Sequence, residues 1–270
     1  MTFQPVVPLA GYTGWRFLQR TLEGQQAAFE ASTTVVRATD YFRENIGEIL
    51  KAEDLVADRR LLEVALGAFG LDDDINNKFF IQKILEDGTT ADDALANRLA
   101  DNRYAAFSQA FGFGDFGLPL TTAPTLAEDI VQKFEAKQFE RAVGEQNNDL
   151  RLALNLETAL DDIVSGSRSE NAQWFSMMGN QPLRQVFQIA LGLPPQIASI
   201  DLDQQLEVFQ RRAAATFGTE SLADFNDPDT QEDLIRLFLV RSEAASTSAT
   251  SSGNIALSLL QSSTLVPLGA

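Results

Sequence analysis

The sequence predicts an all-α protein, a multi-helical bundle-like or orthogonal domain of about eight to ten helices with flexible termini. Three observations carry this. Apolar residues recur at three- and four-residue spacing through the middle of the chain. Capping residues precede these runs and glycines close them. No stretch alternates Val, Ile and Thr between hairpin turns, as half-buried strands would.

Taken in order, Asp40 opens a helix through Tyr41, Phe42 and Ile46 that stops at Gly47. Asp58 caps residues 59–69, where Leu62, Leu66 and Phe69 share a face, and Gly70 ends the run. Asp72, Asp73 and Asp74 open the next, through Phe80, Ile81, Ile84 and Leu85 to Gly88; acids in a first turn suit the helix dipole. Asp92 and Asp93 start a short helix through Leu95 and Leu99, and Asp101 caps one carrying Tyr104, Phe107 and Phe111. Gly112, Gly114, Gly117 and Pro119 then make an elbow. Thr125 and Glu128 have the form of a capping box before Leu126, Ile130 and Phe134. Leu150, Leu152, Leu154 and Leu156 alternate as a strand would, yet Leu152, Leu156, Leu160 and Ile163 fit one helical face, and length and flanks decide for helix. Further helices fall near residues 181–191, 201–217 and 229–243.

Residues 21–243 therefore read as the helical core, with a subdivision near 112–124. Residues 1–20 read as a flexible N-terminal tail. Residues 244–270 read as a Ser/Thr-rich linker followed by an apolar tail. An internal echo suggests a duplicated helical unit: Leu61, Val64, Ala68, Gly70 and Leu71 recur as Leu183, Val186, Ala190, Gly192 and Leu193. Two ordinary helices that each end in a glycine cap and a leucine would look the same, and Pro194-Pro195 stands where the echo would place Asp72-Asp73.

Composition excludes more than any motif proves. The 270 residues hold no Cys and no His, and 38 acidic against 21 basic side chains give a net charge of −17. That removes disulfides, thiolate chemistry, Ser-His-Asp triads and His or Cys metal sites. Any acid or base would be Asp, Glu, Lys or Tyr. The acidic balance argues against nucleic acid and anionic lipid as partners. No apolar run reaches the length of a membrane span, and Val6–Leu9, broken by Pro5 and Pro8, does not make a cleaved signal.

Four motifs fail their context tests. Counted from Asp72, a calcium loop would need Gly at Asn77 and an acid at Lys83. Asp224–Asp229 is a turn and a cap. Asp115-Phe116-Gly117 matches a kinase tripeptide without its partners, and Gly112-x-Gly114-x-x-Gly117 follows a helix instead of a strand. Glu220-Ser221 is similar to the catalytic pair of helical lytic transglycosylases, but Leu222-Ala223 follows where those enzymes carry Gly-Leu-Met-Gln. No catalytic residue, cofactor or metal ligand is assigned.

Ala65-Leu-Gly-Ala-Phe-Gly-Leu71, Phe80–Gly88, Ala96-Asn-Arg-Leu-Ala-Asp101 and Arg103-Tyr104 through Phe113 resemble an alphaproteobacterial family of unknown function whose genes often lie among flagellar genes. The resemblance implies a helical, non-enzymatic protein tied to flagellar structure, assembly or export, with flagellar axial or export components as partners. It carries no catalytic residues over. It fits a chain made in the cytoplasm without a cleaved signal and exported by the flagellar apparatus. The two uncharged ends are the expected partner-binding surface: Phe3, Val6, Val7, Leu9, Tyr12 and Trp15 at one, Ile255, Leu257, Leu259 and Leu260 at the other. The alternatives are a carboxylate-dependent peptidoglycan hydrolase and an acidic cytosolic export chaperone.

Overall fold

The computed structural model describes residues 3–99, 101–165 and 169–263, with side chains described as far as Ser246. Its first half contains α1 (Gly11–Glu30), α2 (Thr33–Asn45), α3 (Ala52–Ala57), α4 (Arg59–Gly67), α5 (Lys78–Asp87), α6 (Leu95–Arg98) and α7 (Arg103–Phe111). After the elbow come α8 (Leu126–Gly144), α9 (Asn148–Val164), α10 (Glu170–Gly179), α11 (Gln181–Ala190), α12 (Leu202–Phe217) and α13 (Pro228–Ser263). Among the described residues there is no strand, and the fold is all-α.

Two short, strongly apolar helices organise the packing. α4 sits against α2, α3 and α8; α11 sits against α9, α10 and α13. Leu62, Leu66, Leu183 and Phe187 on these two helices are fully buried. α8 and α9 pack on each other across a short turn and join the halves, while α1 crosses to α13, α9 and α8. One continuous hydrophobic cluster runs through both halves.

The echo in sequence corresponds to a repeated order of elements. Asp58 caps α4 by accepting from the Arg60 and Leu61 amides at 2.9 and 3.1 Å. Asn180 caps α11 by accepting from the Leu183 amide at 3.2 Å. Both helices end in a Schellman turn: the Leu71 amide donates to Leu66 O at 3.0 Å and the Leu193 amide to Gln188 O at 2.9 Å. Gly70 and Gly192 sit at φ of 65° and 64° there, where a side chain would be strained. An arginine closes each terminus, Arg103 donating to Gly70 O and Arg241 to Ala190 O, as suits the negative end of a helix. A 3-10 turn and a longer helix follow in each unit, Asp72–Asn76 then α5, and Pro195–Ser199 then α12. The exchange of Asp72-Asp73 for Pro194-Pro195 leaves this order intact, since prolines suit the first positions of such a turn.

Several expectations are corrected. Residues 3–20 are not a free tail: residues 3–9, without regular secondary structure, are bonded to the body at Pro5 and Val6, and α1 begins at Gly11 with Trp15 and Leu18 in the core. Trp15, Leu18, Leu22 and Phe29 carry the helical spacing; no side chain caps the start of α1, so no start signal marks it. The Ser/Thr-rich stretch after Glu243 continues α13 to Ser263 instead of forming a linker. α2 starts at Thr33, so Asp40 lies inside it. The capping box at Thr125 does not form: Thr125 is helical in backbone and makes no cap bond, and Glu128 instead takes Arg43 of α2 at 2.9 and 3.2 Å. The acids at 72–74 shape a 3-10 turn before α5, which itself begins at Lys78.

Candidate functional site

Two adjoining cavities lie around the C-terminal end of α4. A cleft of about 850 Å³ opens between the halves, walled by the 68–73 turn, α7, α8, α9 and α10. A pocket of about 430 Å³ lies among α1, α2, α4 and α8, with Phe29, Val35, Val64, Leu66 and Phe134 on its walls. Asp72 and Arg141 line both. They form a bar between the two spaces: Arg141 Nη1 is 2.8 Å from Asp72 Oδ1, and Gln138 Nε2 donates to the same oxygen at 2.8 Å. Gly67 lets α8 come this close to α4, since a Cβ there would stand 2.8 Å from the Phe134 ring and 2.9 Å from Gln138 Nε2.

The cleft gathers cations in an acidic chain. Arg103, Lys133, Lys137, Arg141 and Arg151 line it, five of the 21 basic side chains. At its floor Lys137 Nζ lies 3.0 Å from both oxygens of Glu140, and Asn155 Nδ2 donates to Glu140 Oε2 at 3.2 Å. A carboxylate buried to this degree is tolerable only with such partners. Asn155 Oδ1 is buried without a donor. Nearby, burial pushes the Tyr104 phenol up to about 12, helped by its hydrogen bond to Asp74 Oδ2 at 2.6 Å, so it remains protonated. The carboxylates Asp72, Asp101 and Glu140 each hold a cation.

On the far side of the pocket the N-terminal segment is held by its backbone. Gln25, buried on α1, accepts from the Val6 amide at 2.6 Å and donates to Val6 O at 3.2 Å. Gln146, in the α8–α9 turn, donates to Pro5 O. Gly14 allows the chain to lie along α1, since a Cβ there would meet Leu9 O at 2.0 Å. Gly11, at φ 61°, makes the reversal between segment and helix. Phe3 reaches the mouth of the pocket.

The predicted binding residues thus divide. Phe3 and Val7 are partly buried against the core, while Val6 and Leu9 remain 55% and 49% exposed. Tyr12 and Trp15 are internal fasteners: Tyr12 Oη and Trp15 Nε1 donate to Glu232 of α13 at 2.8 and 3.2 Å, joined by Arg16 and Gln19 at 3.3 Å. Burial alone would raise the Glu232 carboxyl, but the bonds from Tyr12 and Trp15 and the Arg16 charge outweigh it and hold it below the usual range. Ile255, Leu257, Leu259 and Leu260 fall on α13 where side chains lie outside the described residues.

Sequence reasoning missed Gln25 and the Asp72–Arg141 bar. Gln25 had a signal, a polar residue on the face that carries Trp15, Leu18 and Phe29. The bar joins residues far apart in the chain and had none. Glu220 is exposed, and its carbonyl accepts from Trp174 Nε1 at 2.8 Å. Asp115 of the kinase-like tripeptide is a loop clasp, accepting from the Thr89 and Thr90 amides at 2.5 and 2.8 Å. Among the described residues, no helix is long and apolar enough to cross a membrane.

A family model described as "Protein of unknown function (DUF1217)" matches residues 68–230. That span holds the cleft and the bar but not α1 or the extended segment. A crystal structure of a protein from Agrobacterium tumefaciens matches with a TM-score of 0.72 and 27% identity, covering 89% of this chain and 98% of that one. No curated protein matches the chain.

Proposed function

Because the chain belongs to the family of unknown function DUF1217, whose description names no activity, we propose from its geometry that it works by protein–protein contact, as a flagellum-associated structural, assembly or export-related protein without chemistry of its own. One observation carries the contact reading: the body grips a non-helical segment, residues 3–9, through hydrogen bonds from Gln25 and Gln146 to its main chain and a largely apolar pocket at Phe3. Main-chain bonds supply affinity and a side-chain pocket supplies selectivity, the division of labour used in peptide recognition generally. The paired state of the cleft carboxylates supports the same reading. The flagellar setting rests on the resemblance of the 65–113 motifs.

The test is deletion of the gene in the native bacterium, followed by swimming in soft agar and filament counts. The reading expects impaired swimming, restored by the wild-type chain and equally by a Glu220→Gln chain. Normal swimming of the deletion strain overturns the flagellar assignment. Loss of restoration with Glu220→Gln, or clearing of purified peptidoglycan by the protein, overturns the contact reading in favour of a hydrolase.

A further inference from the structure

The floor of the cleft between the halves carries a donor and an acceptor that the protein itself leaves half used. Arg103, Lys137 and Arg141 each pair with a carboxylate. Arg151 instead turns Nε and Nη2 onto the side-chain oxygen of Asn148, at 3.1 and 2.7 Å. That leaves Nη1 with both its hydrogens for another acceptor. The Arg151 stem lies across Gly144, where a Cβ would collide with it, so packing as well as hydrogen bonding places the guanidinium. One turn along α9, Asn155 is 7% exposed and lines the same cleft. Its Nδ2 donates to Glu140 Oε2 at 3.2 Å, which fixes the amide, and its Oδ1 is buried without a donor. An acceptor left in that state is costly, and an O–H or N–H that reaches it recovers the cost. Residues four apart share a helix face, so the spare donor and the spare acceptor stand side by side.

The walls decide what such an occupant carries. Five cations and four acids line the cleft, so neither sign of charge is strongly favoured within it. An anion must also approach a chain of net charge −17, and a cation would meet Arg103, Lys137 and Arg151 at the floor. An uncharged ligand meets neither cost. A bulky apolar ligand finds little to pack on: Phe69 is the one ring among the lining residues, Lys133 stands over it at 5.5 Å, and seven of the lining residues are alanines. Thr158 and Gln109 add side chains that both donate and accept. Hydroxyl groups do the same, so two neighbouring hydroxyls on one ring can accept from Arg151 and donate to Asn155 together. The volume of about 850 Å³ falls in the range of small-molecule sites, roughly 300–1,000 Å³, and such sites favour the junction of two packed units.

We propose that the cleft binds an uncharged polyhydroxylated ligand, a small saccharide, with Arg151 Nη1 donating to one hydroxyl oxygen and Asn155 Oδ1 accepting from the neighbouring hydroxyl. Binding involves no covalent step. The ligand lies on the α8–α9 pair that joins the halves and faces walls from α7 and α10. This goes beyond the contact reading and does not rest on it.

The test is isothermal titration of the full chain with single sugars. The probes are glucose, galactose, mannose, N-acetylglucosamine, maltose, cellobiose and lactose, with glucuronate and glucosamine as charged counterparts of glucose. At least one neutral sugar is expected to bind, and glucose to bind no more weakly than either charged counterpart. Arg151→Met removes the donor, and Ala106→Trp, at an exposed position on the α7 wall, fills the cleft; each should weaken that binding at least about tenfold. Arg211→Met, the same loss of charge on α12 outside the cleft lining, should leave it unchanged. Thermal melts confirm that each variant is folded. Binding of none of the sugars, tighter binding of glucuronate or glucosamine than of glucose, or unaltered binding in both Arg151→Met and Ala106→Trp overturns the proposal. Titration reads neither swimming nor the grip on residues 3–9, so failure here is distinct from failure of the contact reading.

Discussion

The helical units centred on α4 and α11 share an order of elements and differ in what surrounds it. Around α11 the space is filled with rings: Trp174 and Phe187 lie 5.8 Å apart between centroids, Phe187 and Phe225 5.0 Å, and Phe217 and Phe225 5.2 Å, in edge-on geometry. Around α4 rings also pair edge-on, Phe69 with Phe107 at 5.6 Å and Phe107 with Phe111 at 5.3 Å, but a pocket lies beside them and adjoins the cleft between the halves, the two spaces divided by an ion pair. Edge-to-face aromatic packing adds about 0.5–1.5 kcal/mol per pair beyond burial. A cavity forfeits contacts instead. Both units are packed with rings, and the N-terminal unit in addition lines a pocket that something else could fill.

The largest effect that would break this comparison is on stability. Phe187→Ala should cost about 3–5 kcal/mol, because the ring is fully buried and its neighbours cannot collapse into the gap. Arg141→Ala at the bar should cost at most about 1 kcal/mol, since that side chain is half exposed and its ion pair screened. Urea titrations of the two variants measure both, and similar losses would mean that the units are not specialised. Next is Glu232, which fastens α1 to α13. Its folded-state pKa is depressed, so its contribution is complete above the unfolded-state carboxylate range and is lost as pH falls through the folded value. Glu232→Gln should lower stability at pH 7 by about 1–2 kcal/mol, and the gap to wild type should close as pH falls below the usual carboxylate range. Thermal melts across that range check the sign. The smallest effect is at the caps. Asp58→Ala should cost about 1 kcal/mol and Asn180→Ala about the same, because each removes one N-cap; Asp58 also loses the Tyr41 hydroxyl at 2.7 Å.

What the sequence disclosed follows the range of the interactions concerned. The α4 cap, the glycine stops at Gly70 and Gly192 and the helical reading of Leu150–Leu156 rest on neighbours within a turn, and all three are present in the structure. Thr125 also carried a local signal, but its backbone is helical and Glu128 is held by Arg43 from another helix, so neither half of the box forms. The N-terminal stretch reads as a tail because no capping side chain marks the start of α1. Its order comes from Gln25 and Gln146, partners distant in sequence. The site was legible only as a list of apolar residues, of which Phe3 reaches the pocket and Trp15 belongs to the core.

A matched pair of buried glutamines tests the account most directly. Gln25 beside residues 3–9 and Gln205 at the start of α12 each bond a main-chain oxygen, Val6 O at 3.2 Å and Ile200 O at 2.7 Å. Each would be changed to Ala at the native gene and swimming compared at equal protein level. The account predicts that Gln25→Ala impairs swimming as the deletion does, and that Gln205→Ala swims normally. Equal impairment by both, or normal swimming with Gln25→Ala, would contradict it.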